Sequence, residues 1–150
     1  MKNIRKIIPV LAIVIFCISA CTPNAQSPEK LPEVSPTIPS PTEGKGVVCG
    51  SLTDKSTGKA PDASLYLSPN IAAGRDDIPA IMSFSYQSNP RAEMTANGYF
   101  CFEDVEPNQY AITLWSPPDN VEFIEAEDGQ DYLWVNVEAG LVIDLGQISK

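Results

Sequence analysis

Four cysteines, nineteen carboxylates and no histidine make up the reactive inventory of this 150-residue chain. Without imidazole there is no Ser-His-Asp or Cys-His nucleophile, no His-containing zinc set and no ordinary general base near neutral pH. Two carboxylates facing each other across a cleft could still hydrolyse a glycosidic bond, so a carboxylate-based hydrolase is the enzymatic alternative. A second chemistry lies in SPPDNVEFIEAEDGQD, where Glu125, Glu127, Asp128 and Asp131 crowd near Gly129. Hard oxygen ligands at such a turn could hold Ca2+, although EF-hand spacing is lacking; otherwise they form a solvated acidic loop. The third is noncovalent. Trp115, Tyr132 and Trp134 carry flat rings that stack on sugars or anchor protein contacts, provided that they face outward.

What positions these groups begins at the N-terminus. MKNIRK is basic, and the 14-residue IIPVLAIVIFCISA is apolar. That length suits the core of an export signal and falls short of the roughly 20 residues of a membrane-spanning helix. Residues 1–20 are therefore expected to be a signal peptide, with Cys17 as apolar filler inside it. Ile18-Ser19-Ala20-Cys21 resembles the bacterial lipobox: aliphatic, small, small, cysteine. The resemblance implies that the Cys21 thiol is acylated with a diacylglycerol and the chain is cut just before it. A thiol suits such a transfer, and two acyl chains at ~0.8 kcal/mol per buried CH2 give lasting attachment. The protein would then sit on the extracytoplasmic face of the cell membrane or the outer membrane. Ordinary secretion with Cys21 free is the alternative.

Residues 21–45 form the next segment. Between Thr22 and Lys45, six prolines and six Ser or Thr make up half of 24 residues, and no apolar period survives. Such a stretch cannot bury a core, and at ~3.1 Å per residue a polyproline conformation could extend it to about 75 Å. It is expected to be a stalk, with a proline-motif ligand as the less favoured role.

Residues 46–150 change texture to short β-rich runs broken by Gly, Pro and Asn. GVVCGSL, ASLYL, IMSFSYQ, YFCF, YAITLW, YLWVNV and LVIDLGQI give seven candidate strands, which predicts an all-β sandwich with one shared core. Parity places Val48, Leu52, Leu65, Leu67, Phe100, Phe102, Tyr110, Ile112, Leu114, Leu133, Val135 and Val137 inward. Cys49, Cys101, Trp115, Tyr132 and Trp134 then point outward, with the 116–131 loop expected to cover the aromatic residues unless they are exposed. Asn97-Gly98 marks a hairpin in which both residues can take the left-handed conformation.

GVVCGSLTDKSTGKAPDASLYL followed by AEMTANGYFCFEDVEPNQYAITL resembles the carboxypeptidase regulatory-like domain, a seven-stranded transthyretin-like (prealbumin-like) sandwich. The matching positions run from Gly50 and Asp54 through Gly58, Lys59, Pro61 and Ala63 to Thr95 and Gly98. They continue with Phe100, Phe102, Val105, Pro107, Tyr110 and Leu114. The chain departs where Ala60 precedes Pro61 and where Asn108-Gln109 replaces a Pro-Gly turn, a place where Asn can adopt positive φ. The resemblance implies that the first strand neighbours the one after the hairpin, setting Cys49 opposite Cys101 as a disulfide; a two-thiol metal site would lack two ligands. It implies no peptidase activity, because only the accessory domain is matched. The hydroxyisourate hydrolase activity of transthyretin relatives is disfavoured, since its motif includes histidines.

Charge narrows the partners. The net charge is −9, and loss of residues 1–20 leaves seven basic against nineteen acidic groups, a net −12. Twelve acidic residues and no basic one lie between Arg91 and Lys150. Nucleic acid is excluded as a partner, because binding it rests on Lys and Arg displacing counterions. The expectation is a lipid-anchored envelope protein with a non-enzymatic binding module for an envelope protein or polysaccharide and no required cofactor. A passive structural or accessory subunit of a surface complex is the alternative.

Overall fold

Period-two alternation becomes strand wherever one face can be buried. The structure, a computed structural model, describes residues 37–75, 77–126 and 131–150. Eight strands and no helix lie among them: β1 (Gly46–Thr53), β2 (Ser64–Pro69), β3 (Arg91–Ala92), β4 (Tyr99–Val105), β5 (Asn108–Ser116), β6 (Asn120–Phe123), β7 (Trp134–Val137) and β8 (Val142–Ser149). In the smaller sheet β1 lies between β4 and β8, antiparallel to the first and parallel to the second. The larger sheet runs β3-β2-β5-β6, and β7 also pairs with β5. Because β6 takes residues 113–116 of β5 and β7 takes 108–111, these two short strands follow one another along a single edge.

The expected inward set forms the core between the sheets, with Val105 added and Leu133 only partly buried against it. Val48, Leu52, Phe100, Phe102 and Val105 come from one sheet; Leu65, Leu67, Tyr110, Ile112, Leu114, Val135 and Val137 come from the other. Each such side chain contributes about 1.5–3 kcal/mol by leaving water. Cys49 and Cys101 stand opposite each other across β1 and β4 and are joined as a disulfide.

Three expectations need correction. The IMSFSYQ run is not a strand: among its residues only Met82 forms a bridge, with Asn70, and Ser85 turns back through Ser88 and Asn89. Its alternation arises because Phe84 and Tyr86 pack down on an existing sheet, which its backbone meets at one point, where the Ser83 N–H donates to the Pro69 carbonyl at 3.0 Å. The 116–131 stretch is not all loop, since β6 forms a hairpin with β5 across residues 117–119. With β3 added, seven expected strands become eight.

Turn chemistry also differs in detail. In the hairpin before β4 only Gly98 has positive φ (82°), and Asn97 does not. Thr95 accepts the Gly98 N–H at 2.8 Å, and its hydroxyl accepts the Tyr99 N–H at 3.0 Å, so a single left-handed residue suffices. Asn108 likewise keeps negative φ. The left-handed residue there is Asp104 (φ 54°), where the β1–β4 register shifts between Gly46 and Val48.

Asp54 and Tyr110 act as fasteners. Asp54 Oδ1 accepts the Ser56 hydroxyl and the Ser56 and Thr57 N–H groups, the latter at 2.7 and 3.2 Å. These bonds, the Ser56 hydroxyl foremost, hold its carboxyl below the ordinary value of 3.8. The Tyr110 hydroxyl donates to the Glu106 carbonyl at 2.9 Å, and burial, then the Glu106 charge, raises its pKa. Tyr110→Phe removes that bond while keeping the ring, so stability should fall by about 1 kcal/mol. A lower urea midpoint at unchanged slope is the expected observation.

The domain's contacts reach back into the Pro-rich segment. Thr42 Oγ1 donates to Asp104 Oδ1 at 2.6 Å, Lys45 pairs with Glu106, and the Lys45 carbonyl accepts the Gly140 N–H at 2.7 Å.

Candidate functional site

The outer face of the larger sheet gathers the aromatic side chains. Register places Gln109, Ala111, Thr113 and Trp115 of β5 on this face. They lie beside Tyr66 and Ser68 of β2, Val121 and Phe123 of β6, and Trp134 and Asn136 of β7. Part of the face is covered. Tyr66, Ser68, Ala111 and Thr113 are buried, and the Ser68 and Thr113 hydroxyls satisfy each other at 2.7 Å.

Over Tyr66 and Trp115 the cover is the segment around residues 81–87; of the 116–131 stretch expected to cover the aromatic residues, Phe123 and Asp131 pack at Tyr132 and Trp134, and residues 127–130 lie outside the described residues. Asn70 pins the ends of the loop leading to it: its Oδ1 accepts the Ala72 and Ile81 N–H groups, both at 3.0 Å, and its Nδ2 donates to Gln109 Oε1 at 2.6 Å. Phe84 then meets Tyr66 edge to face at 5.5 Å. Tyr86 lies flat on Trp115, with centroids 5.3 Å apart and planes 8° from parallel, and is itself 56% exposed.

A second aromatic group stands beyond β5. Phe123 lies 5.3 Å from Tyr132, and Tyr132 meets Trp134 edge to face at 6.4 Å. Antiparallel contacts position them: Glu125 bridges Tyr132, Leu133 N–H donates to the Ile124 carbonyl at 2.8 Å, and Ala126 N–H donates to the Asp131 carbonyl at 2.8 Å. Asp131 fastens the corner, because one carboxylate oxygen accepts the Tyr132 N–H (2.8 Å) and the other the Trp134 indole N–H (3.3 Å). Tyr132 remains 39% exposed, and Phe123 and Trp134 are half-buried.

The three expected aromatic residues thus face outward but divide between two groups: Trp115 with Tyr86, and Tyr132 with Trp134. Sequence parity missed Tyr86, which it placed in a strand, and Phe123, which it placed in a loop. Of the four carboxylates considered for Ca2+, Glu127 and Asp128 lie outside the described residues, and Asp131 is committed to a backbone N–H and an indole. Among the described residues no three His, Cys, Asp or Glu side chains converge as a metal set. Cys21 also lies outside the described residues.

Two depressions flank the aromatic face. One, of about 480 Å³, is lined by Asn70, Arg75, Gln109 and Asn136. The other, of about 350 Å³, lies at the edge where β6 and β8 approach and includes Phe123 in its wall. The fold and this surface define a class: an all-β two-sheet sandwich with partly open aromatic rings on one outer face.

No protein-family model matches the chain, and no curated protein matches it. Among solved structures, a candidate carbohydrate-binding protein from Pseudomonas aeruginosa is similar at 17% identity and a TM-score of 0.40. The match covers 74% of this chain and 92% of that one.

Proposed function

We propose that this protein is a cell-envelope lipoprotein whose transthyretin-like sandwich binds an envelope polysaccharide, without catalysis, through the aromatic face of its larger sheet. The observation that carries the proposal is the pair of partly open ring groups, Tyr86 with Trp115 and Tyr132 with Phe123 and Trp134, on an outer sheet face. Sugar rings present flat C–H faces to such aromatic surfaces. Trp134 pairs with Ala111 and Trp115 lies four residues further along β5, a separation of about 13 Å at the strand's rise per residue. A chain of rings can meet both points. Planar amides of Gln109 and Asn136 stand beside the same face and suit hydroxyl groups.

Co-sedimentation of the full chain with purified envelope polysaccharide tests this. Trp134→Ala and Trp115→Ala should each weaken binding by about 2 kcal/mol, or roughly thirtyfold, as expected of aromatic anchors. Retention that survives the double substitution would remove the aromatic face from the account.

The membrane attachment rests on the lipobox resemblance and is tested apart from binding. Cys21→Ser should abolish incorporation of radiolabelled fatty acid into the protein, because no thiol remains to be acylated. Mass spectrometry of the native N-terminus should show a diacylglycerol adduct on Cys21; an unmodified start rejects the anchor.

A further inference from the structure

Resting on the polysaccharide proposal above, we infer that the cavity at the open edge between β6 and β8 receives a single uncharged sugar unit of that polymer. Its volume of about 350 Å³ is at the small end of the range of ligand sites, about 300–1,000 Å³, and suits one ring better than a chain. Leu133 and Ile148 supply apolar wall, and Phe123 joins the cavity to the outer aromatic corner through its 5.3 Å contact with Tyr132. A polymer lying on Tyr132 and Trp134 therefore has a recess beside it for a neighbouring unit.

The charges around this recess select against ions. Only five basic residues follow Gly46, namely Lys55, Lys59, Arg75, Arg91 and Lys150, and two of them border this one cavity. They are matched there by Glu122 and Glu125, so the described lining side chains carry no net charge. Lys150 Nζ sits 2.7 Å from Glu122 Oε2, and the Lys55 N–H donates to the Lys150 carbonyl at 2.9 Å, which fixes this part of the rim. An anionic or cationic ligand would find its attraction to one pair offset by the other. A polyhydroxyl ring uses both: hydroxyls donate to carboxylates and accept from ammonium groups in charge-assisted bonds, while the ring's C–H face meets Phe123 and Leu133.

The test is a printed array of uncharged and acidic tetrasaccharides probed with the full chain, followed by titration calorimetry of the best binder at low and high sodium chloride. An uncharged sugar should lead, with affinity nearly independent of salt. Lys55→Met and Glu125→Gln should each weaken it roughly tenfold, the scale of one charge-assisted hydrogen bond. Both side chains are exposed, so unchanged thermal melts should accompany the loss. Unchanged affinity in both variants, with binding lost in Trp134→Ala, overturns the cavity assignment and leaves the aromatic face standing. A leading acidic sugar whose affinity falls steeply with salt also overturns it. Failure to retain any tetrasaccharide overturns both the cavity and the polysaccharide proposal.

Discussion

The double variant Cys49→Ala/Cys101→Ala should lose about 4 kcal/mol of stability and melt roughly 16 °C or more below the parent. The bridge closes 52 residues, and restoring that freedom to the unfolded chain sets the magnitude on the chain-entropy account. The closed loop holds β2, β3 and the covering segment between β1 and β4, so it ties both sheets to one covalent knot. Cys49 is fully buried on the outer side of its sheet, and Cys101 receives a 3.0 Å contact from the Tyr99 hydroxyl. Thermal denaturation with and without reductant measures the effect. The parent under reducing conditions should approach the double variant, and a melting temperature indifferent to both changes would refute the assignment.

Gly98→Ala should be nearly as damaging, at about 3–5 kcal/mol. Gly98 has φ of 82°, and a Cβ there would lie 2.2 Å from the Leu52 carbonyl oxygen. That oxygen belongs to backbone in β1 and cannot rotate away. The same strand end is held by the Leu52 N–H, which donates to the Gly98 carbonyl at 2.9 Å, so relief of the clash must open the ladder. Gly58→Ala is the control, because φ is 65° there but nothing lies within 4 Å of the added carbon. It should cost only about 1 kcal/mol, the left-handed penalty alone. Urea midpoints of the two variants separate the clash from the backbone term; equal losses would show that the close approach is unimportant.

Most of the core was legible because its residues obey one rule. Val48 and Leu52, Phe100 and Phe102, and Tyr110, Ile112 and Leu114 alternate on strands long enough for period two to stand out. The rule failed where side-chain alternation and backbone pairing part company. Met82, Phe84 and Tyr86 alternate as a strand would, yet Pro79 and Pro90 flank them and their neighbours bond within a turn. β6 was hidden by the opposite circumstance, since Asn120, Val121, Glu122 and Phe123 follow two prolines and precede an acidic run. The candidate site was half visible for the same reasons. Trp115 and Trp134 sit on regular strands whose parity gives their direction, whereas Tyr86 and Phe123 reach the face from the two misjudged segments. Lys55 and Lys150 lie 95 positions apart, and only the return of β8 alongside β1 brings them together.

The manner in which the Pro-rich segment joins the sandwich determines how the molecule answers a pull. Thr42 and Lys45 grip Asp104 and Glu106 just before the chain enters β1, the middle strand of its sheet. Tension arriving from that side meets these grips first and then two hydrogen-bonded ladders at once, sheared along their length instead of peeled bond by bond. At Cys49, the fourth residue of β1, the load crosses into β4 through a covalent bond. A pull applied ahead of β1 would therefore be resisted by both ladders and the covalent bridge together, so the sandwich yields as a unit.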